Sequence, residues 1–384
     1  MSQRLPVFFS RAAIAVALGL IASTARAQAN LSSQGFGYPP GQLSSRSLGT
    51  GGSIAELDPL TPLNPASLGL NQTRIVEFQL EPEFRTVNSP SGSEHTTTAR
   101  YPNVFVAFPI GKGWVLGAGA STLLDRTSTT EFNTSQILPG SDTVAMHTTY
   151  RIDGAMSDVR LATAYNAKSW LRFGFGVHGI TGHNLVSITQ EFPDSTEFEA
   201  FNQSLVLDFT GIAASAGVQM TSKNWGLGFS GRLGGNLHSS VEDTILSRAK
   251  VPSRFGASLA FTGVANSAFA IRTSRDNWSS LNGLQTPGGS RAVDAWDSGI
   301  GADIAGPRMG QQIIYIRAGL RTRTLPFQAE GHDVTENSAS GGLGTTFANG
   351  RVLTDFAAIY ANRTAGLPAT EHAWTLSFGI SIRP

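Results

Sequence analysis

Chemistry needs nucleophiles, metal ligands or paired acids and bases at workable spacing, and this chain offers few of them. None of its 384 residues is cysteine, which removes thiol catalysis, zinc ribbons and disulfide scaffolds together. The 7 histidines are scattered as His95, His147, His178, His183, His238, His332 and His372. His178 and His183 stand an odd number of positions apart in a strand-like run, so they face opposite ways and cannot share a metal ion. His178 reads as a polar interior residue. No Gly-x-Ser-x-Gly elbow or phosphate loop is present, and no serine is set against a histidine and an acid in a compelling pattern. The sequence therefore implies no enzyme, no metal and no cofactor. With Lys+Arg 28 against Asp+Glu 27, the formal charge of +1 also argues against a nucleic-acid partner.

The charges that do form a pattern recur at every second residue. Glu77, Gln79, Glu81, Glu83 and Arg85 alternate with Val76, Phe78, Leu80 and Phe84. Arg160, Arg172, Arg232, Arg254, Arg272, Arg317, Arg321 and Asp355 likewise fall on the row opposite the large apolar residues. Residues two apart share one face of a strand, so the elements that must position these charges are strands with one apolar face. Trp225, Leu227, Phe229 and Leu233 stand against Gly226, Gly228, Ser230 and Arg232. The last such run sets Trp374, Leu376, Phe378, Ile380 and Ile382 against Thr375, Ser377, Gly379 and Ser381. A soluble sandwich would bury the apolar row and wet the other. A transmembrane barrel points the apolar row at lipid and the polar row at its lumen.

Composition and length separate the two. Charged residues are 14% of the chain, against about 25% in soluble proteins. The polar rows hold much Gly, Ala, Ser and Arg and little Lys or Glu, which suits a crowded interior. The strand-like runs reach about ten residues, longer than the five or six of soluble sheets. A lipid-facing Arg at mid-bilayer costs about 2–4 kcal/mol, so charges on one shared parity mark a lumen. That lumen reads either as a polar conduit with gating ion pairs or as a structural network that keeps the barrel filled.

Residues 1–27 read as a secretory signal peptide: Arg4 and Arg11, an apolar run from Ala12 to Ser23, and Ala25-Arg26-Ala27 as the cleavage site. The run is too short for a membrane-spanning helix. Tight breaks fall at Gly111 to Gly113, Asn166 to Ser169, Ser222 to Asn224, Gly263 to Ser267, Gly306 to Gln311 and Ala348 to Gly350. Three share a repeat, Lys112-Gly-Trp114, Lys168-Ser-Trp170 and Lys223-Asn-Trp225, which fits an interfacial girdle. Longer polar segments, such as Val87 to Thr98, Thr127 to Ser141, Glu191 to Gln203 and Asp276 to Asp297, read as outer loops. With a first strand at Arg74 to Arg85 and a last at His372 to Ile382, these breaks predict an all-β, 14-stranded antiparallel transmembrane barrel over residues 73–384.

Residues 28–72 do not alternate. They contain Ser45-Arg46-Ser47-Leu48-Gly49-Thr50-Gly51-Gly52, then Glu56, Asp58 and Asn64-Pro65-Ala66. This segment resembles the N-terminal hatch of the FadL/TodX-type outer-membrane transporters of hydrophobic compounds, and it is similar to that of the PorV-like barrels of secretion systems. Asn277-Trp278, Ile316 to Arg321, Gly341 to Gly344 and Asp355-Phe356-Ala357 extend the resemblance to the C-terminal third. The family pattern has adjacent acids before Asn-Pro-Ala, where this chain has a lone Glu56 and Asp58-Pro59. It also commonly ends in an aromatic residue, where this chain ends Ile382-Arg383-Pro384. The resemblance implies a hatch, or plug, inside the barrel, carried by Leu48, Gly49, Gly51, Gly52, Asp58, Asn64, Pro65 and Ala66. Such a plug also makes physical sense, because fourteen strands enclose more space than side chains can fill.

The resemblance implies passive uptake of long-chain fatty acids or other hydrophobic small molecules across a Gram-negative type outer membrane, with hatch rearrangement and exit that could run sideways into the bilayer. The implied partners are a fatty acid or similar molecule, outer-membrane lipid, and the barrel-assembly machinery during biogenesis, with the barrel a monomer. Apolar residues in the outer loops, Phe192, Phe198, Phe201, Trp278, Leu281 and Leu284, form either a capture groove or loop-to-loop packing. Glu77, Arg160, Arg172, Arg232, Arg317 and Asp355 are the expected lumen charges. The alternative functions are a PorV-like secretion-system partner or scaffold barrel, and a surface barrel without substrate. A hydrolase built on the barrel wall is the remaining enzymatic possibility.

Overall fold

The computed structural model of the chain describes residues 31–34, 36–90, 92–137, 143–192, 199–242, 244–284, 291–310 and 312–384. The expected signal peptide, residues 1–27, and Phe198 lie outside these. Seventeen strand segments make one sheet. They are β1 (Ile75–Ser89), β2 (Gly92–Arg100), β3 (Asn103–Gly111), β4 (Trp114–Asp125), β5 (Ser128–Ile137), β6 (Thr143–Lys168), β7 (Leu171–Glu191), β8 (Phe201–Thr221) and β9 (Trp225–Val241). The rest are β10 (Thr244–Lys250), β11 (Arg254–Phe261), β12 (Ala268–Asp276), β13 (Ala295–Met309), β14 (Gln312–Ala329), β15 (His332–Phe347), β16 (Val352–Thr364) and β17 (Thr370–Ile382).

Three pairs of segments are single staves with a break. Both β2 and β3 pair with β1, both β4 and β5 with β6, and both β10 and β11 with β9. Pro102 stands in the first break and Pro252 in the third, where a residue without an N–H cannot continue a ladder. Counted as staves, the sheet is a 14-strand antiparallel barrel. It closes between its first and last strands, from Val76 opposite Ile382 to Asn88 opposite Thr370. Closure leaves no unpaired edge. No helix among the described residues is long and apolar enough to cross a membrane.

Facing follows the alternation. On β1, Glu77, Gln79, Glu81, Glu83 and Arg85 are buried, while Phe78 and Phe84 are 49% and 48% exposed. Val177, Ile212, Leu233, Ile300 and Leu320 form part of an exposed apolar belt around the wall. Short turns lie at one end of the barrel, at the six breaks read from the sequence.

Two expected loops are corrected. Val87 to Thr98 is mostly strand, the hairpin of β1 with β2, and Thr127 to Ser141 contains β5. With β6 at 26 residues and β7 and β8 at 21 each, these strands far exceed the 9–11 that cross a bilayer. β2 is exposed on both faces over most of its length, and it carries Thr, Ser and charges without the apolar row that betrays a strand.

The N-terminal residues 31–71 are buried almost throughout. Ser44 caps the short helix α1 (Ser45–Gly49) by accepting from Ser47 N, and Asn64 caps the 3₁₀ turn Pro65–Leu70 by accepting from Ala66 N. Pro65 occupies the first position of that turn, where its missing N–H is harmless.

Candidate functional site

Glycine on the inward rows explains how the N-terminal segment comes so close to the wall. A Cβ on Gly174 would fall 2.2 Å from the backbone of Pro65 and Ala66, and one on Gly217 would fall 1.9 Å from Asn64 Oδ1. Glu56 sits over Gly228 and Gly256 in the same way, and Thr50-Gly51 sits over Gly301 and Gly319. Gly51 and Gly52 have φ of +63° and +77°, a left-handed conformation that a side chain would strain. Leu48 is buried with Leu43, Ala55 and Ala357. The structure thus brings the expected hatch residues Leu48, Gly49, Gly51, Gly52, Asn64, Pro65 and Ala66 against the inner surface of the barrel.

Asp58 does something different: it organises the segment from within. Its carboxylate accepts from Ser44 Oγ at 2.5 Å, Ser47 Oγ at 3.0 Å, Thr61 Oγ1 at 2.9 Å and Leu60 N at 3.3 Å. It ties α1 to the turn that follows, and its nearest cation, Arg46 Nη1, is 4.0 Å away.

The segment is held to the wall by polar contacts around the circumference. Glu56, fully buried, accepts from Arg254 Nη2 at 3.1 Å, Arg272 Nε at 3.0 Å and Ser258 Oγ at 2.6 Å. Arg46 Nε donates to Asp303 at 3.0 Å, and Asp303 pairs in turn with Arg317, which reaches Asp355 at 2.6 Å. Gln42 donates to Ser121 at 2.8 Å and Asp158 at 3.1 Å, and accepts from Arg232 Nη1 at 3.1 Å. Tyr38 donates to Glu336 at 3.1 Å. Its ring is ringed by the guanidinium groups of Arg363, Arg100, Arg85 and Arg323, 4.5–5.0 Å from the centroid. A buried cluster of this kind holds only because its charges are paired: Arg363 with Glu336 and Glu371, Arg100 with Glu83 and Asp125.

Of the expected lumen charges, Glu77, Arg160, Arg232, Arg317 and Asp355 are buried on the inner face. Glu77 accepts from Ser381. Arg172 is half-buried near a short turn, donating to Thr221 Oγ1 and Ser169 O at 3.4 Å each. Arg46, Arg254, Arg317, Asp303 and Asp355 thus belong to the seat of the segment, and a cavity of about 420 Å³ opens beside Arg46, Asp303, Arg317 and Asp355 at the short-turn end. The sequence reading passed over Tyr38, Gln42, Glu336 and Arg363. Glu336 and Arg363 were legible as further charges on the inward parity of β15 and β16; Tyr38 and Gln42 had no signal of that kind.

The five described apolar loop residues, Phe192, Phe201, Trp278, Leu281 and Leu284, do not form one cluster. Trp278, Leu281 and Leu284 are buried with Phe36, Leu123, Phe209 and Phe327 in an apolar cluster at the long-loop end. Phe36 stacks on Phe327 with centroids 4.4 Å apart. Phe201 is 51% exposed at the start of β8, where it stands opposite Gln190, and Phe192 follows the end of β7. The loop Trp278 to Gly283 folds inward because its apolar side chains find partners on the N-terminal segment and on β14, which no local pattern could show.

One polar relay was also missed. His178 Nδ1 lies 2.7 Å from Asp158 Oδ1, and its Nε2 lies 2.8 Å from Ser215 Oγ. His183 points outward, as the parity requires. The relay has the contact order of a serine hydrolase. However, Ser215 lies within a strand paired on both sides, so the backbone N–H groups there serve the ladder and form no oxyanion hole. The Asp158 carboxylate is already committed to Arg232 and Gln42. The arrangement fastens Gln42 to the wall.

No family model and no curated protein matches the chain. Solved structures do. A FadL homologue of Pseudomonas aeruginosa superposes with a TM-score of 0.59 at 14% identity, covering 90% of this chain and 99% of its own. The Ralstonia pickettii toluene transporter TbuX gives 0.57 at 15% identity, covering 89% and 98%. The Pseudomonas putida toluene transporter TodX gives 0.56 at 14%, covering 92% and 99%. In fold, therefore, the chain is similar to the FadL/TodX-type barrels.

Proposed function

We propose that the protein is an outer-membrane channel for hydrophobic small molecules, with residues 28–72 as its hatch. The observation that carries this reading is the way the lumen is filled. A barrel built only as a scaffold would be served by a fixed core; here a separate segment occupies the lumen, and beside small apolar clusters it is fastened to the wall by hydrogen bonds and ion pairs around the circumference. The polar contacts can exchange for water or for one another as the segment moves, so part of its fastening is replaced rather than lost. At the long-loop end the same segment joins an apolar cluster through Phe36. An apolar solute arriving there meets side chains of its own polarity, and its binding competes for contacts that hold the segment down. Lipopolysaccharide obstructs apolar solutes at the outer leaflet, which gives such a seat its use. The fold shared with the toluene transporters and the FadL homologue supports the same reading. Long-chain fatty acids are the proposed substrates, with monoaromatic hydrocarbons as the competing class.

The test is uptake into vesicles reconstituted with the purified full chain, using a labelled long-chain fatty acid and toluene in parallel with glucose. Transport of either apolar solute, with glucose excluded, is expected. Rates equal to protein-free vesicles for both apolar solutes would overturn the proposal and leave a scaffold barrel as the better account.

A further inference from the structure

The chain contains four lysines, Lys112, Lys168, Lys223 and Lys250, and the first three stand two residues before Trp114, Trp170 and Trp225. Each of these three triplets spans a short turn: β3 to β4, β6 to β7, and β8 to β9. The strand order makes them successive turns on one arc of the rim, because β3, β4, β6, β7, β8 and β9 pair in sequence. The three indoles are 40%, 46% and 50% exposed, and all three lysines are exposed. Trp114 packs on Tyr165 at 4.8 Å, Trp225 packs on Phe261 at 5.1 Å, and Lys168 Nζ lies 5.5 Å over the ring of Trp170.

An indole settles at the boundary between acyl chains and water, so it fixes the depth of the residues beside it. The ammonium groups two positions earlier are thereby held at headgroup level. Their charge is uncompensated: among the described residues every ion pair uses Arg or His, and no Asp or Glu occurs in the residues joining strands at this rim. The opposite rim is built differently. There Arg275 lies 5.7 Å over the ring of Trp296, but Asp294 neutralises it at 3.0 Å.

We propose that the three Lys-x-Trp turns form a binding surface for anionic phospholipid, with the headgroup phosphate on the ammonium groups and the acyl chains along the indole faces. The proposal rests on the reading of the chain as a membrane barrel whose short turns face the periplasmic leaflet; it does not depend on what is transported. A cation at an anionic lipid surface raises association by up to about fivefold, and the three act on the same leaflet.

The experiment is electron spin resonance on the full-length barrel in phosphatidylcholine bilayers, with spin-labelled phosphatidylglycerol or phosphatidylethanolamine as the reporter. The native protein is expected to favour phosphatidylglycerol by about threefold or more. Combined Lys112→Gln, Lys168→Gln and Lys223→Gln should bring that ratio close to unity, each single change should lower it in part, and Lys250→Gln should leave it unchanged. Heat-modifiable gel mobility reports folding, and the single variants carry the test if the triple variant does not assemble. Equal association of the two lipids with the native protein, or an equal loss with Lys250→Gln, would overturn the proposal. Inorganic phosphate, compared with chloride at equal ionic strength, separates the two sources of phosphate chemistry. Abolition of the preference by phosphate alone would mean an ion site and would also overturn the lipid assignment. Solute uptake, measured on the same variants, reports independently on the channel reading.

Discussion

Replacing Glu56 with Gln removes one charge from the N-terminal segment, the proposed hatch, while keeping the shape of the side chain. Glu56 is fully buried and accepts three hydrogen bonds, from Arg254, Arg272 and Ser258. Hydrogen bonds to a charged group are worth about 1.5–3 kcal/mol and neutral ones about 0.5–1.5, so three weakened bonds represent about 3 kcal/mol. The loss is smaller than that, because Arg254 retains Asp276 at 3.7 Å and Arg272 retains Asp297 at 2.9 Å. About 2 kcal/mol remains, equivalent to roughly a thirtyfold shift toward a displaced hatch. The barrel itself should stand, since its ladder is untouched. In planar bilayers Glu56→Gln is therefore expected to raise the fraction of time spent conducting ions by about that factor, with heat-modifiable mobility unchanged. Native-like conductance, together with native protection of residues 31–71 from protease, would refute the claim that this carboxylate fastens the hatch.

Other expectations follow from the same geometry. Gly174→Ala places a methyl 2.2 Å from the backbone of Pro65 and Ala66, so it should expel the Asn64-Pro65-Ala66 turn and raise conductance, whereas Gly341→Ala, with nothing nearer than 3.9 Å, should be silent. Tyr38→Phe keeps the ring amid the four arginines and loses only the hydroxyl's bonds to Glu336 and Arg323, both charged groups, at about 3 kcal/mol; Tyr38→Ala should loosen the segment still more, as read by hydrogen exchange of residues 36–42. Val177→Arg puts a charge on a 61% exposed, outward-facing position of the wall and, with that face in lipid as proposed, should lower refolding yield into bilayers by an amount matching about 2–4 kcal/mol. In the loop 277–294, burial tends to raise the Asp294 carboxyl, but hydrogen bonds from Ser279 and Arg275 outweigh it and hold it below its ordinary value. A depressed folded-state value means the carboxylate stabilises the loop above its unfolded-state pKa and loses that effect as pH falls through the folded value. Proteolysis of this loop should therefore rise only in the acid range below the ordinary carboxylate pKa, and Asp294→Asn should remove that pH dependence.

The sequence alone determined the wall. Glu77, Glu81 and Arg85 against Phe78, Leu80 and Phe84 fix the facing of β1, because a strand has period two and lipid tolerates no charge; the same rule sets Arg160, Arg232 and Arg317 inward. The six short turns fixed the number of staves, and the glycines at 49, 51 and 52 with Asn64-Pro65-Ala66 marked a segment of a different kind. What the sequence could not supply was pairing between distant residues. The meeting of Tyr38 with Arg323 and Arg363, of Gln42 with Asp158, of Glu56 with Arg254 and Arg272, and of Phe36 with Phe327 depends on where a non-periodic segment lies in three dimensions. No local spacing encodes that position. It is set when closure of the barrel brings residues from opposite ends of the chain to the two sides of one lumen. The inward folding of Trp278, Leu281 and Leu284 was decided in the same way, because a loop's apolar side chains take whichever partner the closed barrel presents.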